Sequence, residues 1–86
     1  MNIIELISIV KKKLQEQIVI EDITIEDKSF LHKNHAGNQK GRFHLKIFIK
    51  SNELKKFSRI ERNKKIYKIL DKELKDFIHS IQILIN

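Results

Sequence analysis

Four histidines are the side chains of this 86-residue sequence that best fit metal chemistry. His32 and His35 lie in a long polar segment, and His44 follows it shortly afterwards. His79 lies near the end of the sequence. Imidazole is the commonest neutral metal ligand, and a flexible segment can bring one histidine toward a fixed one. The sequence contains no Cys and so offers no thiolate ligand. The histidines are therefore the candidate ligands for a metal.

Each histidine also has an interpretation that involves no metal. His32 and His35 can be ordinary solvated loop residues, and His44 falls on the polar face of a predicted strand. His79 alternates in phase with Ile81 and can pack at the edge of the core. Residue type alone leaves both interpretations open.

Signs of an enzyme are absent from the sequence. No serine lies in a nucleophile-elbow motif, and two glycines are too few for a phosphate loop or a dinucleotide fingerprint. The carboxylates of Asp71 and Glu73 are expected on an exposed helix face, paired with Lys68 or Lys75. We expect a protein that is not an enzyme.

The positive charge has two interpretations. A formal net charge of +7 is typical of a nucleic-acid-binding domain, with contacts from Arg59, Arg62, Lys64 and Lys65. However, 15 of the 18 cationic residues are Lys, Ile occurs 17 times and Ala once. This pattern also fits a compositional drift of the whole chain, and specific base contacts favour Arg over Lys.

The elements that must position these residues begin with a helix. Asn2 and Glu5 can cap its start, and the run Lys11 to Lys13 is expected at its solvated C-terminal end. The β-branched segment 18–25 predicts a strand, and the polar segment 27–42 predicts a loop of about 15 residues. Apolar residues spaced three and four apart mark the buried side of the helix: Ile3, Leu6, Ile7, Val10 and Leu14.

The second half predicts a strand, a short hook, a long helix and a last strand. The second strand places Phe43, Leu45, Ile47 and Ile49 on one face. A hook covers 52–56, and Ser58 caps a helix whose buried residues are Ile60, Tyr67, Leu70, Leu74 and Phe77. Alternation from Ser80 to Ile85 predicts the third strand. We expect one α+β domain over 1–86, a two-layer sandwich with a three-stranded mixed sheet and helices on one face.

The sequence shows neither a membrane-spanning run nor a secretory signal. No apolar run reaches the roughly 18 residues that span a bilayer. The N-terminus lacks the order of a signal peptide, so we expect a cytoplasmic protein without membrane contact.

Several short motifs, in the correct order, resemble those of the BolA-like family. They correspond to its D-x-S-x-x-H, AG, HF-x-V, R-H-R-x-x-Y and V/I-H-A-L patterns. In this sequence they read Asp27-Lys28-Ser29 with His32, His35-Ala36-Gly37, Phe43-His44-Leu45-Lys46-Ile47, Arg62-Asn63-Lys64-Lys65-Ile66-Tyr67 and Ile78-His79-Ser80-Ile81. Two segments depart from the family. Asn63 replaces its central His, and the hook has Leu54 for Phe and Lys56 for Gly.

The resemblance implies a class II KH-like fold and a non-enzymatic adaptor. Such a protein forms a heterodimer with a monothiol glutaredoxin and shares a two-iron two-sulfur cluster with it, in iron homeostasis or in cluster assembly or transfer. The partner's cysteine and a bound glutathione would supply thiolates, since histidines can replace two of the four thiolate ligands on one iron. It implies His79 and His35 as ligands, with His32 and His44 in reserve.

Two other functions remain open at this point. Bacterial members of the family have DNA-binding regulatory roles, although this sequence has no G-x-x-G loop of the KH type. Any such binding is expected to be electrostatic and sensitive to salt. The domain can also be a scaffold whose histidines bind nothing, and exposed strand edges would permit a homodimer.

Overall fold

A three-stranded mixed sheet with helices packed on one face is the observed architecture, as predicted. The computed structural model describes residues 1–29 and 42–86. In chain order the elements are α1 (Ile3–Gln17), β1 (Asp22–Asp27), β2 (Phe43–Lys50), α2 (Asn52–Lys55), α3 (Arg59–Ile69), α4 (Asp71–Asp76) and β3 (Ile78–Ile85). The strand order is β1-β2-β3, with β1 and β2 antiparallel and β2 and β3 parallel.

The core lies between the helices and one face of the sheet. Alternate residues of β2 and every third or fourth residue of α1 point into it, as expected from the two periodicities. Because both patterns meet at the same layer, a slip of one residue in β2 would expose its apolar face. Helix α2, helix α3 and the residue after α3 also contribute to this core. Its fully or nearly fully buried side chains include Leu6, Val10, Leu14, Leu45, Ile47, Ile49, Leu54, Ile66 and Leu70.

The start of α1 is as predicted, but its end is not. The Asn2 side chain accepts a hydrogen bond from the backbone N–H of Glu5 at 2.8 Å. The helix continues to Gln17, so the lysine run lies before its last turn, which contains no basic residue. Ile18 then ends the helix and is buried, and β1 begins only at Asp22 rather than at residue 18.

The predicted long helix is divided at Leu70 into α3 and α4, and two of its predicted buried residues are exposed. Ile60 is 68% exposed and Tyr67 is 46% exposed. The residue that faces the core is Ile66, and each further residue turns the side chain by about 100°. Tyr67 is therefore rotated away from the sheet, and Ile60 lies well off the same line.

The hook is the short helix α2. Ser51 is buried, donates from its hydroxyl to the Val19 carbonyl at 2.7 Å and accepts from the Leu54 N–H at 3.1 Å. Leu54 fills the core at this point. Lys56 has a φ of −72°, which needs no glycine, so the hook closes with ordinary right-handed backbone at the position where the family pattern has Gly.

Candidate metal-binding site

A register shift where β2 and β3 begin places His79 on the surface. Phe43 pairs with Ile78, but His44 pairs with Ser80, so His79 has no counterpart on β2. The extra residue interrupts the alternation, as β-bulges do. Ile78 is buried whereas His79 is exposed. The alternative interpretation of His79, packing at the core edge in phase with Ile81, is therefore excluded.

His79 lies on a second histidine ring. The centroids of the His44 and His79 rings are 4.8 Å apart, and the ring planes are inclined by 28°. His44 is on the sheet face away from the core, as predicted for a polar strand face, but it is only 6% exposed. The two rings, with the Ser80 hydroxyl, form what we call the histidine pair.

Hydrogen bonds fix His44 through its side chain and its backbone. Its Nδ1 lies 2.6 Å from the Ser80 Oγ. Its N–H donates to the Ser29 Oγ at 3.1 Å, and its carbonyl accepts from the Lys28 N–H at 2.7 Å. The Ser29 N–H in turn donates to the Asp27 Oδ1 at 2.9 Å. The D-x-S motif therefore supports the start of β2, a structural role that its spacing alone did not indicate.

In the described part of the chain, the histidine pair is not joined by further metal-ligating side chains. Among residues 1–29 and 42–86, no three His, Cys, Asp or Glu side chains come together as a metal site. The chain also contains no thiol. His35 and His32, the other predicted loop ligands, lie outside the described residues.

The predicted basic contacts are only partly available. The Arg62 guanidinium donates to the Leu54 carbonyl at 2.8 Å and to the Lys55 carbonyl at 3.2 Å, so it caps the end of α2. The Lys65 ammonium lies 5.0 Å from the centre of the Phe57 ring. Arg59 and Lys64 are exposed.

A second polar region lies between α1 and α3, and neither histidine of the pair lines it. It is an open groove of about 770 Å³, which we call the lysine groove. Its lining residues are Lys13, Glu16, Gln17, Lys64, Lys65, Lys68 and Ile69.

One lysine of the groove pairs with a buried carboxylate. Lys13 Nζ lies 2.6 Å from Glu73 Oε2, and Glu73 is only 4% exposed. The prediction that Glu73 lies on an exposed helix face is therefore wrong, because its position on α4 points it toward α1. Asp71 does pair with Lys75, at 3.0 Å on the surface. Lys13 is likewise held in an ion pair rather than solvated at a helix end.

Solved structures show the class of domain to which this architecture belongs. The BolA domain of SufE1 from Arabidopsis thaliana superposes with a TM-score of 0.77 at 26% identity, covering 92% of this chain and 87% of that one. BolA1 from Arabidopsis thaliana gives a TM-score of 0.75 at 30% identity, with the same coverage. The fold is that of a BolA domain.

The sequence comparisons agree with the fold. The profile of the family described as BolA-like protein matches residues 14–86, and the chain belongs to this family. The "DNA-binding transcriptional regulator BolA" of Haemophilus influenzae is 29% identical over 75 residues, which cover 87% of this chain and 70% of that protein. Chloroplastic BOLA1 of Arabidopsis thaliana is 31% identical over 78 residues, covering 86% of this chain and 48% of that protein. The predicted resemblance is confirmed.

Among the helices of residues 1–29 and 42–86, none combines the length and the apolar character that crossing a bilayer requires.

Proposed function

We propose that this chain is a non-enzymatic adaptor that ligates a two-iron two-sulfur cluster jointly with a monothiol glutaredoxin. Membership of the BolA-like family supports this function, together with the composition of the candidate site. In the shared complex the partner's cysteine and glutathione supply thiolates, and this chain supplies imidazole nitrogens.

The observation that carries the proposal is that the exposed ring of His79 stacks on the ring of a buried residue, His44. A ligand for a cluster held on another protein must reach the surface and keep its direction there. His79 is exposed, and its ring stacks on the nearly buried His44 ring. The chain thus presents an accessible imidazole and has no thiol that could compete with the partner's thiolates.

The roles proposed for the four histidines differ. His79 is the first ligand and His35 the second, with His32 as the alternative in the same polar segment. His44 is assigned no bond to iron, because at 6% exposure its ring offers little surface to a docking partner.

Reconstitution tests the proposal directly. The chain is mixed anaerobically with a monothiol glutaredoxin, ferrous iron, sulfide and glutathione, and the mixture is followed by visible circular dichroism and size-exclusion chromatography. We expect a cluster-dependent heterodimer whose spectrum differs from that of the glutaredoxin alone. An unchanged spectrum together with separate elution would contradict the proposal.

Matched variants locate the ligands. His79→Ala should remove the spectral change, whereas Gln82→Ala, an exposed residue further along β3, should leave it intact. His35→Ala should weaken the complex more than His32→Ala. Equal effects of His79→Ala and Gln82→Ala would argue against a ligand on β3.

A second candidate function is contact with nucleic acid through the lysine groove. The Haemophilus influenzae relative is named a DNA-binding regulator, and three of the five cationic residues of α3 line the groove: Lys64, Lys65 and Lys68. Binding of two unrelated duplexes at 50 and 200 mM salt tests this function. Equal affinities that fall steeply with salt would support it, and no binding at 50 mM would exclude it.

A further inference from the structure

We infer that His44 is a positioning residue that fixes the ring direction of His79, and that the Ser80 hydroxyl holds His44 in place for this purpose. The inference rests on the proposed role of His79 as a ligand. His44 and Ser80 thereby have a function that could not be recognised from their residue types or from their exposure alone.

The geometry of the rings supports this role. Aromatic pairs interact favourably at centroid distances of about 4.5–7 Å, and the His44 and His79 rings are 4.8 Å apart. The lone pairs of imidazole lie in the plane of the ring, so a stacked neighbour covers the face of His79 without competing for its nitrogen. A ligand can therefore be held and remain available to a metal at the same time.

His44 is held rigidly enough to support the His79 ring. Its side chain contacts Ser80 at 2.6 Å, and both polar groups of its backbone are hydrogen-bonded, to Ser29 and Lys28. Its ring is almost fully buried. An exposed histidine that stacks on such a fixed ring loses much of the rotamer freedom that a solvated side chain would keep.

The bulge explains why the support comes from two neighbouring residues of β3. In a regular strand, consecutive side chains point to opposite faces of the sheet. The register shift instead brings His79 over the His44 ring. The next residue, Ser80, forms a hydrogen bond with Nδ1 of His44. Metal-bound histidines commonly depend on an outer partner for orientation, and loss of that partner typically lowers metal affinity by about 10–100-fold.

Two pairs of variants test the inference. Ser80→Ala removes the hydroxyl from an exposed position, and Ser80→Thr keeps a hydroxyl there. His44→Leu removes the supporting ring but retains an apolar side chain, and Gln82→Ala serves as the surface control. The three-bond couplings across the Cα–Cβ bond of His79, measured by NMR in the protein alone, report its rotamer populations.

We expect one dominant rotamer of His79 in the parent chain, in Ser80→Thr and in Gln82→Ala. Ser80→Ala and His44→Leu should give averaged couplings and bind the cluster-loaded glutaredoxin about 10-fold more weakly. Unchanged His79 couplings in both of these variants would overturn the inference. If His79→Ala leaves the joint complex intact, the ligand role itself fails, while the couplings still decide whether His44 positions the ring.

Discussion

The histidine pair and the lysine groove are both polar, but they are built differently. The histidine pair brings together β2 and β3 through a stack, a short hydrogen bond and a register shift. The lysine groove is lined by long cationic side chains of α1 and α3. Two of these have structural contacts, Lys13 with Glu73 and Lys65 with Phe57.

The two constructions suit two kinds of binding, one that depends on the direction of a single atom and one that depends on charge. A metal ligand must hold one atom in one direction, which requires a buried support and fixed rotamers. Contacts with phosphates tolerate flexible lysines, because the attraction depends on charge density and falls with salt. The two regions should therefore respond independently to mutation.

The largest effect is expected at the histidine pair. His79→Ala removes the proposed ligand itself and should weaken the cluster-dependent complex with glutaredoxin by about 100-fold or more, since loss of an outer partner alone typically costs about 10–100-fold. Titration of the loaded glutaredoxin, followed by visible circular dichroism, measures this loss. Binding to a DNA duplex should be unchanged by the same variant, and a parallel loss of both activities would break the comparison.

The next effect is on stability and concerns the base of the lysine groove. Lys13→Met leaves the buried Glu73 carboxylate without its partner and should lower the free energy of unfolding by about 2 kcal/mol, since Lys13 itself is partly exposed. Urea denaturation measures the change. Lys12→Met, an exposed neighbour, is the control. The double variant Lys13→Met with Glu73→Leu should recover stability. If Lys13→Met and Lys12→Met are equally stable, the ion pair has no structural role.

A smaller effect is expected when two groove lysines lose their charge. Lys64→Gln with Lys68→Gln should reduce the magnitude of the salt slope of duplex binding by about 1.8, because each lysine neutralises about one phosphate. The cluster-dependent complex should be unaffected. A weaker cluster complex with an unaltered salt slope would show that the groove contacts the protein partner instead.

The smallest effect concerns the helix that carries the groove. The Ser58 hydroxyl accepts from the Glu61 N–H at 3.2 Å and caps α3. Ser58→Ala should therefore destabilise the domain by about 1 kcal/mol, again measured in urea. Ser8→Ala, at an exposed position inside α1, should cost nothing. A loss in the second variant equal to the first would mean that the cap contributes little.

Local patterns were sufficient to predict most of the fold. The capped start of α1, the alternation of β2 and the hook at α2 each depend on neighbours within a few residues. The division of the long helix at Leu70 and the burial of Glu73 depend on where α4 packs against the rest of the chain. Such packing leaves no periodic mark in the sequence.

The candidate site was predicted only in part, for a similar reason. The motif around His79 indicated the residue, but alternation left two positions open for its ring, the surface and the core edge. The register shift that exposes it is a property of the pairing between β2 and β3. The burial of His44 likewise follows from contacts with β3 and with the D-x-S segment, which are distant in sequence.

The most direct test of the central claim identifies the nitrogen ligand itself. The chain is labelled with ¹⁵N only at histidine, combined with unlabelled glutaredoxin, glutathione and cluster, and the reduced complex is examined by pulsed electron paramagnetic resonance. Our account predicts a strong ¹⁵N hyperfine coupling in the parent chain and in Gln82→Ala, with the contribution of His79 lost in His79→Ala. A ¹⁵N signal that is absent from the parent complex, or identical in His79→Ala, would contradict it.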